Sequence, residues 1–363
     1  MAGRKKKSAG RMPLWLYVLI VVVIALVTYF RTSGEAEAGD PQPPAASAAA
    51  QQTPADETLT VRFLDVGQGD SILLACGDET MLIDGGPVEE GQFLVSRLNR
   101  LDVAELTYVI NTHPDEDHCG GLAAVLAKYP AEHVYSSVTE YTTKVFSNVV
   151  KYADEQGHPV EVPQTGDSWT LGSASVQVIG PVQTYSDPNN GSLVLRVDYG
   201  GTSFLFTGDM EQKAEADLMD SGANMRADVL KVGHHGSPTS SSEAFLEAVA
   251  PSIAVISVGK DNDYGHPGAD VLARLEALGA AIYRTDTQGE IIITSDGQTL
   301  TVTTDPTSRE PTAGKDAPFI GNRNSMIVHS ANCAKLPGED NRVYFNTAEE
   351  AEEYGYQKHT CIK

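Results

Sequence analysis

One segment, residues 112–121, constrains the fold more than any other part of this chain. It directly follows Tyr108-Val109-Ile110, which has the composition of a buried strand. Successive side chains leave a strand on opposite sides, so acids and imidazoles at its end can serve two metal ions that lie close together. The segment therefore predicts a binuclear metal site at the end of a strand, with four ligand candidates: His113, Asp115, Asp117 and His118.

A competing interpretation treats this segment as a polar loop whose side chains cap a helix that begins near His118. Three other segments favour the metal site, because each is an apolar strand that ends in ligand side chains. Those side chains are Asp84, Asp209 and the pair His234 and His235.

The coarse pattern along the chain alternates strands and helices. Strands are predicted near 59–64, 71–75, 80–83, 108–111, 192–197, 204–206, 229–232, 253–257 and 291–294. Helices are predicted near 91–99, 122–128, 210–221, 243–250 and 269–278. The pattern predicts an α/β fold.

The order of these segments resembles the metallo-β-lactamase superfamily, and more closely the metallo-β-lactamase-like domain of the ComEC competence proteins and their free-standing relatives. The resemblance covers residues 58–304 and implies the αββα sandwich of two sheets flanked by helices. The motifs that carry it are Leu64-Asp65-Val66-Gly67-Gln68-Gly69-Asp70-Ser71, His113-Pro114-Asp115-Glu116-Asp117-His118, Asn189-Asn190-Gly191-Ser192-Leu193-Val194-Leu195, Thr207-Gly208-Asp209, His234-His235-Gly236-Ser237, Tyr264-Gly265-His266-Pro267 and Tyr283-Arg284-Thr285-Asp286.

The resemblance implies a role for each ligand candidate. His113 and Asp115 are expected to bind the first metal, and Asp117 and His118 the second, while Asp209 bridges the two. The general superfamily pattern is His-x-His-x-Asp-His. This chain has Asp115 in place of the second histidine, as ComEC-type domains do.

The remaining positions bear on the choice of metal. Either His234 or His235 is expected to complete the second site, and the sequence leaves both open. Many superfamily members place another first-site histidine where this chain reads Asn189-Asn190-Gly191-Ser192, a segment in which Asn190 and Ser192 are assigned to substrate binding. Because oxygen ligands favour harder ions than imidazole does, Mn²⁺ ranks equal with Zn²⁺ as the expected cofactor, and Mg²⁺ is a further competitor.

The expected reaction is hydrolysis of a phosphodiester by a water that the two ions activate. Asp84 is expected to orient this water or the ligand shell. Ser237, with the backbone N–H groups of Gly236 and Ser237, is expected to hold a phosphate oxygen. His266 is either a donor to the leaving group or a turn histidine beside a proline. Two acids of the glycine-rich connection are interpreted mainly as turn formers: Asp65 and Asp70.

The charge of the chain limits this interpretation. It has 49 acidic and 26 basic residues and a net charge of −23. Non-specific affinity for nucleic acid comes chiefly from basic side chains that displace counterions, and no Lys/Arg-rich stripe lies within residues 58–304. A DNA substrate therefore requires a partner that guides it or divalent ions that bridge the repulsion, and the alternative is a small phosphodiester.

The N-terminus predicts a membrane anchor. Arg4-Lys5-Lys6-Lys7 and Arg11 precede residues 14–30, an uncharged and largely apolar run of 17 residues. As a helix it spans about 26 Å, close to the hydrocarbon thickness of a bilayer. Residues 1–31 are thus predicted to form a cytoplasmic basic tip and a signal anchor, with the catalytic domain outside. The alternative is a signal peptide whose cleavage releases a secreted protein. Residues 32–57 are predicted to be a disordered linker.

The C-terminus predicts a second, smaller module. After a linker at 305–317, residues 318–363 resemble the small metal-binding domain of the Ada DNA-repair protein, which uses four cysteines on zinc. Here the ligand candidates for one structural Zn²⁺ are His329, Cys333, His359 and Cys361. A disulfide between Cys333 and Cys361 is the alternative in an exported protein. Two other cysteines are interpreted as buried thiols: Cys76 and Cys119.

Three functional classes follow. The first is a membrane-anchored, extracytoplasmic, metal-dependent phosphodiesterase or nuclease. The second is a metallohydrolase of a small-molecule ester or lactone. The third is a catalytically weak protein that binds DNA or a surface. The complete set of ligand candidates favours the first class. The expected substrate is a phosphodiester, and DNA is one candidate.

Overall fold

Two seven-stranded sheets form the centre of the protein. The structure is a computed structural model, which describes residues 57–309 and 313–362. In the first sheet the strand order is β14-β13-β1-β2-β3-β4-β5, antiparallel up to β3 and parallel from β3 to β5. Its strands are β1 (Leu59–Phe63), β2 (Ile72–Cys76), β3 (Glu79–Ile83), β4 (Leu106–Asn111), β5 (Ala131–Ser136), β13 (Glu290–Ser295) and β14 (Leu300–Asp305).

The second sheet has the order β12-β11-β10-β9-β8-β7-β6. Strands β9 to β12 run parallel, and β6 to β9 pair antiparallel. Its strands are β6 (Ser168–Leu171), β7 (Ala174–Gly180), β8 (Val194–Tyr199), β9 (Thr202–Phe206), β10 (Val229–Lys231), β11 (Ile253–Ile256) and β12 (Ala281–Arg284).

The main core lies between the two sheets, because alternate side chains of their strands face each other. Phe63 of the first sheet and Phe206 of the second lie with ring centroids 6.2 Å apart. On β1, Leu59, Val61 and Phe63 are buried in this core, while Arg62 points to the other face.

Helices cover the outer face of each sheet, so the layers are αββα, as the sequence predicts. Thr143 and Ser242 cap two of these helices through their side chains, and Gly157 ends one of them in a left-handed conformation. The first sheet carries α1 (Gly91–Arg100), α2 (Glu116–Cys119), α3 (Leu122–Leu126) and α4 (Lys144–Gln156), and the second carries α5 (Gln212–Asp220), α6 (Glu243–Val249) and α7 (Ala269–Leu278), with α8 (Thr285–Gln288) after β12.

The C-terminal residues form a small four-stranded sheet with its own core. Gly321 lies so close to Tyr356 that a Cβ there would be 2.4 Å from the ring, which explains the glycine. Arg100 of α1 lies over the ring of Tyr354 at 3.9 Å and connects the module to the larger domain. The module contains β15 (Phe319–Asn322), β16 (Ile327–Ser330), β17 (Arg342–Phe345), α9 (Ala348–Glu353) and β18 (Gln357–Lys358).

The predicted membrane anchor lies outside the described residues, as does the predicted linker up to residue 56. Within residues 57–309 and 313–362, no helix has both the length and the apolar character that a bilayer span needs.

Candidate metal centre

The ligand candidates meet because the strands that carry them end at neighbouring positions. In the first sheet, β3 leads to Asp84 and β4 leads to His113, and these two strands run parallel. In the second sheet, β9 leads to Asp209 and β10 leads to the two consecutive histidines, and these strands are also parallel. Each pair of strands therefore delivers its side chains to one edge of its sheet.

The second-site candidates form a tight cluster. One ligand atom each from Asp117, His118, Asp209 and His235 lies within 4.8 Å of the others. Nε2 of His118 is 3.2 Å from Asp209 Oδ1, and Nε2 of His235 is 3.2 Å from Asp117 Oδ2 and 3.4 Å from Asp209 Oδ2. Asp209 thus lies between two imidazoles of this cluster, and its role as a bridge between two metals stays a prediction.

The first-site candidates adjoin this cluster. The rings of His113 and His118 have centroids 4.1 Å apart, and Nε2 of His113 is 3.7 Å from Asp115 Oδ2. Asp115 precedes α2, yet its side chain accepts no capping hydrogen bond. The alternative interpretation of Asp115 as a helix cap is therefore not supported.

Four buried polar atoms at this centre make no hydrogen bond to the described residues, although two of them, Nε2 of His118 and Oδ1 of Asp209, are 3.2 Å apart: Nε2 of His113, His118 and His235, and Oδ1 of Asp209. A buried polar atom that lacks a partner typically costs about 1–3 kcal/mol. Four such atoms that converge on one region fit a bound cation, which would satisfy them together. Imidazole nitrogen and carboxylate oxygen are ligands that both Zn²⁺ and Mn²⁺ accept.

The electrostatics agree with this fit. Burial, followed by the neighbouring His118, lowers the pKa of His113 to about 4, so His113 is a neutral imidazole. Burial opposes charge on His118 and on Asp209, but their proximity raises the pKa of His118 well above its usual value and lowers that of Asp209. The centre therefore demands positive charge, which a divalent ion supplies.

Asp84 contacts Nδ1 of His118, the ring nitrogen that does not face Asp209. Its Oδ2 is 2.8 Å from Nδ1 of His118, and its Oδ1 accepts from the backbone N–H of Thr112 at 2.7 Å. Both side chains are buried. A carboxylate on the far nitrogen of a ligand histidine fixes the ring's orientation. This contact fits the predicted role of Asp84 in orienting the ligand shell.

The structure distinguishes between the two consecutive histidines. The side chain of His235 is 2% exposed and faces Asp117 and Asp209. That of His234 is 23% exposed, and its Nε2 is 3.7 Å from Asp209 Oδ2. Both residues have positive φ, 48° and 53°, a conformation that non-glycine residues rarely adopt. This turn directs His235 into the centre and leaves His234 at its rim.

Asp70 is not mainly a turn former, contrary to the sequence-based interpretation. It is 1% exposed, and its Oδ2 is 2.6 Å from Nζ of Lys231, whose side chain is fully buried. Its Oδ1 is 3.3 Å from Nδ1 of His235, which also contacts the carbonyl of Ser257 at 2.9 Å. Burial opposes its ionisation, but Lys231 and His235 lower its pKa below the usual value. Asp70 therefore positions His235.

A signal for this contact was present in the sequence. Lys231 is the one charged residue of Val229-Leu230-Lys231-Val232 and belongs to a strand whose three residues are all buried. A lysine in such a strand requires a buried anion. Asp65, by contrast, does form a turn, because its Oδ1 accepts from the N–H of Gly67 at 3.2 Å.

We expect Lys231→Met to lower the free energy of unfolding by about 3–5 kcal/mol, because it leaves the Asp70 carboxylate buried without its cation. Urea denaturation of the metal-free chain measures this loss. The double variant Asp70→Asn/Lys231→Met should recover part of it, because it also removes the buried charge. A single variant as stable as the wild type would contradict the proposed dependence of Asp70 on Lys231.

The side chains of Ser192 and Asn190 make hydrogen bonds within the protein. Oγ of Ser192 lies 3.3 Å from Nδ1 of His113 and accepts from the backbone N–H of Asp209 at 3.1 Å, so Ser192 positions two ligand candidates. The Asn190 amide donates to Glu211 at 3.1 Å and accepts from the backbone N–H of Ala214 at 3.2 Å. Neither pattern supports the predicted substrate-binding role, because these groups are already occupied.

The predicted phosphate contact of Ser237 also does not fit the structure. Its backbone N–H donates to the carbonyl of His234 at 2.8 Å, and its hydroxyl lies 2.9 Å from that of Thr239. Gly236 has φ 79°, and a Cβ there would be 2.6 Å from Pro267. Gly236 is therefore required for the turn.

His266 lies at the rim of the centre. Its ring is edge-on to that of His234, with centroids 5.7 Å apart, and Asn262 holds its backbone N–H and carbonyl at 3.0 and 2.7 Å. Burial, followed by His235 and His234, lowers its pKa. Its buried Nδ1 has no partner among the described residues. The position fits the predicted donor to a leaving group, which stays a prediction.

The predicted zinc ligands of the C-terminal module also converge. One ligand atom from each of four side chains lies within 4.8 Å of the others: His329, Cys333, His359 and Cys361. The rings of the two histidines have centroids 4.3 Å apart, and both cysteines are free thiols. The other two cysteines, Cys76 and Cys119, are buried thiols as predicted, and burial raises the pKa of Cys119 to about 12.

Comparison with known proteins identifies the family. Residues 64–260, more than half of the chain, match the family described as the metallo-beta-lactamase superfamily. This chain belongs to the metallo-β-lactamase superfamily. Its fold is therefore the metallo-β-lactamase αββα sandwich, and the superfamily is one of metal-dependent hydrolases.

Relatives within this superfamily include competence proteins, which confirms the predicted resemblance. The chain is 33% identical over 250 residues to ComE operon protein 3 of Bacillus subtilis (strain 168), a match that covers 64% of this chain and 32% of that protein. It is 35% identical over 239 residues to Competence protein ComA of Neisseria gonorrhoeae, covering 65% and 32%. The match thus spans about one third of each relative.

A solved metallo-β-lactamase-fold structure is similar at low identity. The protein YhfI from Bacillus subtilis is 11% identical to this chain, with a TM-score of 0.44. The comparison covers 68% of this chain and 100% of that one.

Proposed function

We propose that this chain is a metal-dependent phosphodiesterase with nucleic acid among its substrates. In this proposal residues 14–30 anchor the chain in the membrane, and the hydrolase domain lies outside. The observation that carries the proposal is the convergence of three imidazoles and three carboxylates on one region. The six side chains are His113, Asp115, Asp117, His118, Asp209 and His235. Two divalent ions, Mn²⁺ or Zn²⁺, are the proposed cofactors.

The chain holds each of the three histidines through Nδ1. Hydroxyl oxygens of Ser192 and Thr112 lie 3.3 and 3.2 Å from Nδ1 of His113. Asp84 contacts Nδ1 of His118, and the Ser257 carbonyl, with Asp70, contacts that of His235. Every Nε2 is thereby left for a metal, and the rings are fixed before it binds.

The open side of the centre is acidic. The side chains of Asp115 and Asp117 are each 36% exposed, whereas Asp209 is 3% exposed. Bound divalent ions supply Lewis-acid chemistry and an activated water. The anionic centre of a phosphodiester is repelled by these carboxylates in the free chain, so the ions are required for binding as well as for hydrolysis.

Hydrolysis of matched substrates tests the proposal. The full-length chain is stripped of metal and titrated with Mn²⁺, Zn²⁺ or Mg²⁺ in the presence of bis-p-nitrophenyl phosphate, single-stranded DNA, double-stranded DNA or a lactone. We expect metal-dependent cleavage of the diester that EDTA abolishes. Cleavage of the lactone alone would favour a small-molecule esterase. No turnover with any metal would favour a binding protein and contradict the proposal.

We further propose that the C-terminal module binds one structural Zn²⁺ through His329, Cys333, His359 and Cys361, since this N₂S₂ set suits a tetrahedral site. Such small modules commonly depend on the metal for folding. We expect Cys333→Ser to lose one equivalent of zinc by elemental analysis, while the matched variant Cys76→Ser, which removes a buried thiol of the larger domain, retains it. A Cys333–Cys361 disulfide in the purified wild type would contradict zinc binding.

A further inference from the structure

A cavity of about 500 Å³ adjoins the metal centre on its first-site side. Pro114, which lies between His113 and Asp115, forms part of its wall. Gly191 and Leu193 also line it, on either side of Ser192, whose hydroxyl contacts His113. The volume is within the range of about 300–1,000 Å³ that small-ligand sites occupy. A substrate whose phosphorus lies at the metal centre therefore has room for one attached group here.

The lining of the cavity carries no lysine and no arginine, and Asp187 is its one charged residue. Val138 and Val162 provide apolar walls, and Gln164 and Thr184 provide neutral hydrogen-bonding groups. Lys213 lies outside the lining, over the ring of Tyr185, and it pairs with Asp217 at 3.5 Å. This chemistry does not hold a phosphate. It suits an uncharged group with apolar faces and polar edges.

An aromatic side chain lies in the same wall. Tyr141 lines the cavity, and its ring packs edge-on against Phe146 of α4 with centroids 6.5 Å apart, which fixes its position. Nucleobases have apolar faces and polar edges, and they stack on aromatic rings irrespective of their sequence. An ordinary DNA-binding surface instead neutralises phosphates with basic side chains. With a net charge of −23, this chain has an excess of the opposite charge.

We propose that this cavity is a nucleoside subsite, which receives the base and sugar attached to the phosphate that the metal centre cleaves. The inference rests on the proposed phosphodiesterase function and adds what the enzyme recognises. Binding through the base explains how an acidic protein selects a nucleic-acid phosphodiester without a basic groove. It also requires an unpaired base, so a single strand or a nucleotide ester is the substrate rather than an intact duplex.

Two esters with one leaving group test the subsite. Methyl p-nitrophenyl phosphate and the p-nitrophenyl ester of thymidine 5′-monophosphate differ only in the group that the cavity would receive. We expect the Mn²⁺-loaded, full-length chain to hydrolyse the thymidine ester with a kcat/KM about tenfold or more above that of the methyl ester, because one stacked base typically contributes that much. Equal values would overturn the subsite and leave the phosphodiesterase standing. Hydrolysis of neither ester would instead contradict the proposed function itself.

Variants of the wall separate the subsite from general damage. Tyr141→Ala removes the ring, and Thr184→Trp fills the cavity from an exposed position. Each should bring the ratio of the two kcat/KM values to near one. Tyr152→Ala is the matched control, because Tyr152 lines a different cavity, and it should preserve the ratio. Because Thr184 is exposed, its variant keeps the test valid if Tyr141→Ala fails to fold. An unchanged ratio in a folded Thr184→Trp variant would overturn the proposal.

Discussion

Asp209→Ala should abolish hydrolysis of every phosphodiester that the wild type cleaves. Its carboxylate lies between His118 and His235, with ion-pair distances of 3.2 and 3.4 Å, so its loss removes an oxygen ligand candidate from both imidazoles at once. The loss should exceed the roughly 10- to 100-fold effect that removal of a positioning residue has on metal affinity or activity. Turnover of bis-p-nitrophenyl phosphate under saturating Mn²⁺ measures it.

The same variant should keep its fold, because Asp209 follows β9 and the apolar residues of that strand are untouched. Far-ultraviolet circular dichroism identical to that of the wild type is the control. Asp228→Ala serves as a matched aspartate, since it contacts Ser203 at the opposite end of the strand and should retain activity. Turnover by a folded Asp209→Ala variant at the wild-type rate would contradict the binuclear mechanism.

His235→Ala should likewise reduce activity to near background, whereas His234→Ala should reduce it far less. His235 is buried and directs Nε2 toward Asp117 and Asp209, so its loss removes a ligand candidate of the proposed second site. His234 is partly exposed and pairs with Glu211 at 3.5 Å. Calorimetric titration of the metal-free chain should show loss of one bound ion for His235→Ala and retention of both for His234→Ala.

This comparison has its own internal control. Both substitutions remove an imidazole from a residue with positive φ in the same turn, so both should release or retain a similar backbone strain. A difference in activity between the two variants would therefore reflect the loss of a metal ligand rather than a change in the backbone of the turn. An activity loss for His234→Ala as large as that for His235→Ala would exclude the assignment of His235 alone to the second site.

The sequence predicts most of the strands and helices that have a strong apolar pattern, but it misses β7, five of whose seven residues are buried, as well as elements with a weaker pattern. The last four residues of β4 are all buried, and their apolar run predicts the strand. The edge strand β6 has one buried residue, and β5 has exposed residues at two of its six positions, so neither has a clear period. Helix α4 is not among the predicted helices, although its buried residues Phe146, Val149 and Ala153 have the spacing of one helix face.

The site shows the same division between local and non-local information. The ligand candidates of residues 113–118 are neighbours along the chain, so their spacing could be read directly. The choice of His235 depends on a left-handed turn, and the role of Asp70 depends on Lys231, which lies 161 residues away in the other sheet. Asn190 and Ser192 are two residues apart, and only their hydrogen bonds show that Asn190 contacts a helix whereas Ser192 contacts two ligand candidates.

The proposed second site takes Asp117 and His118 from α2, which covers the first sheet, and Asp209 and His235 from the segments that follow β9 and β10 of the second sheet. An ion at this position would therefore connect the two halves of the sandwich. Because such an ion would bind the folded chain and not the unfolded one, its binding would raise the free energy of unfolding. At a free concentration one hundred times the dissociation constant, the gain is about 2.7 kcal/mol. Melting temperatures measured with Mn²⁺, Zn²⁺ or Mg²⁺ would therefore rank how tightly the folded chain binds each ion, and this measurement needs no substrate.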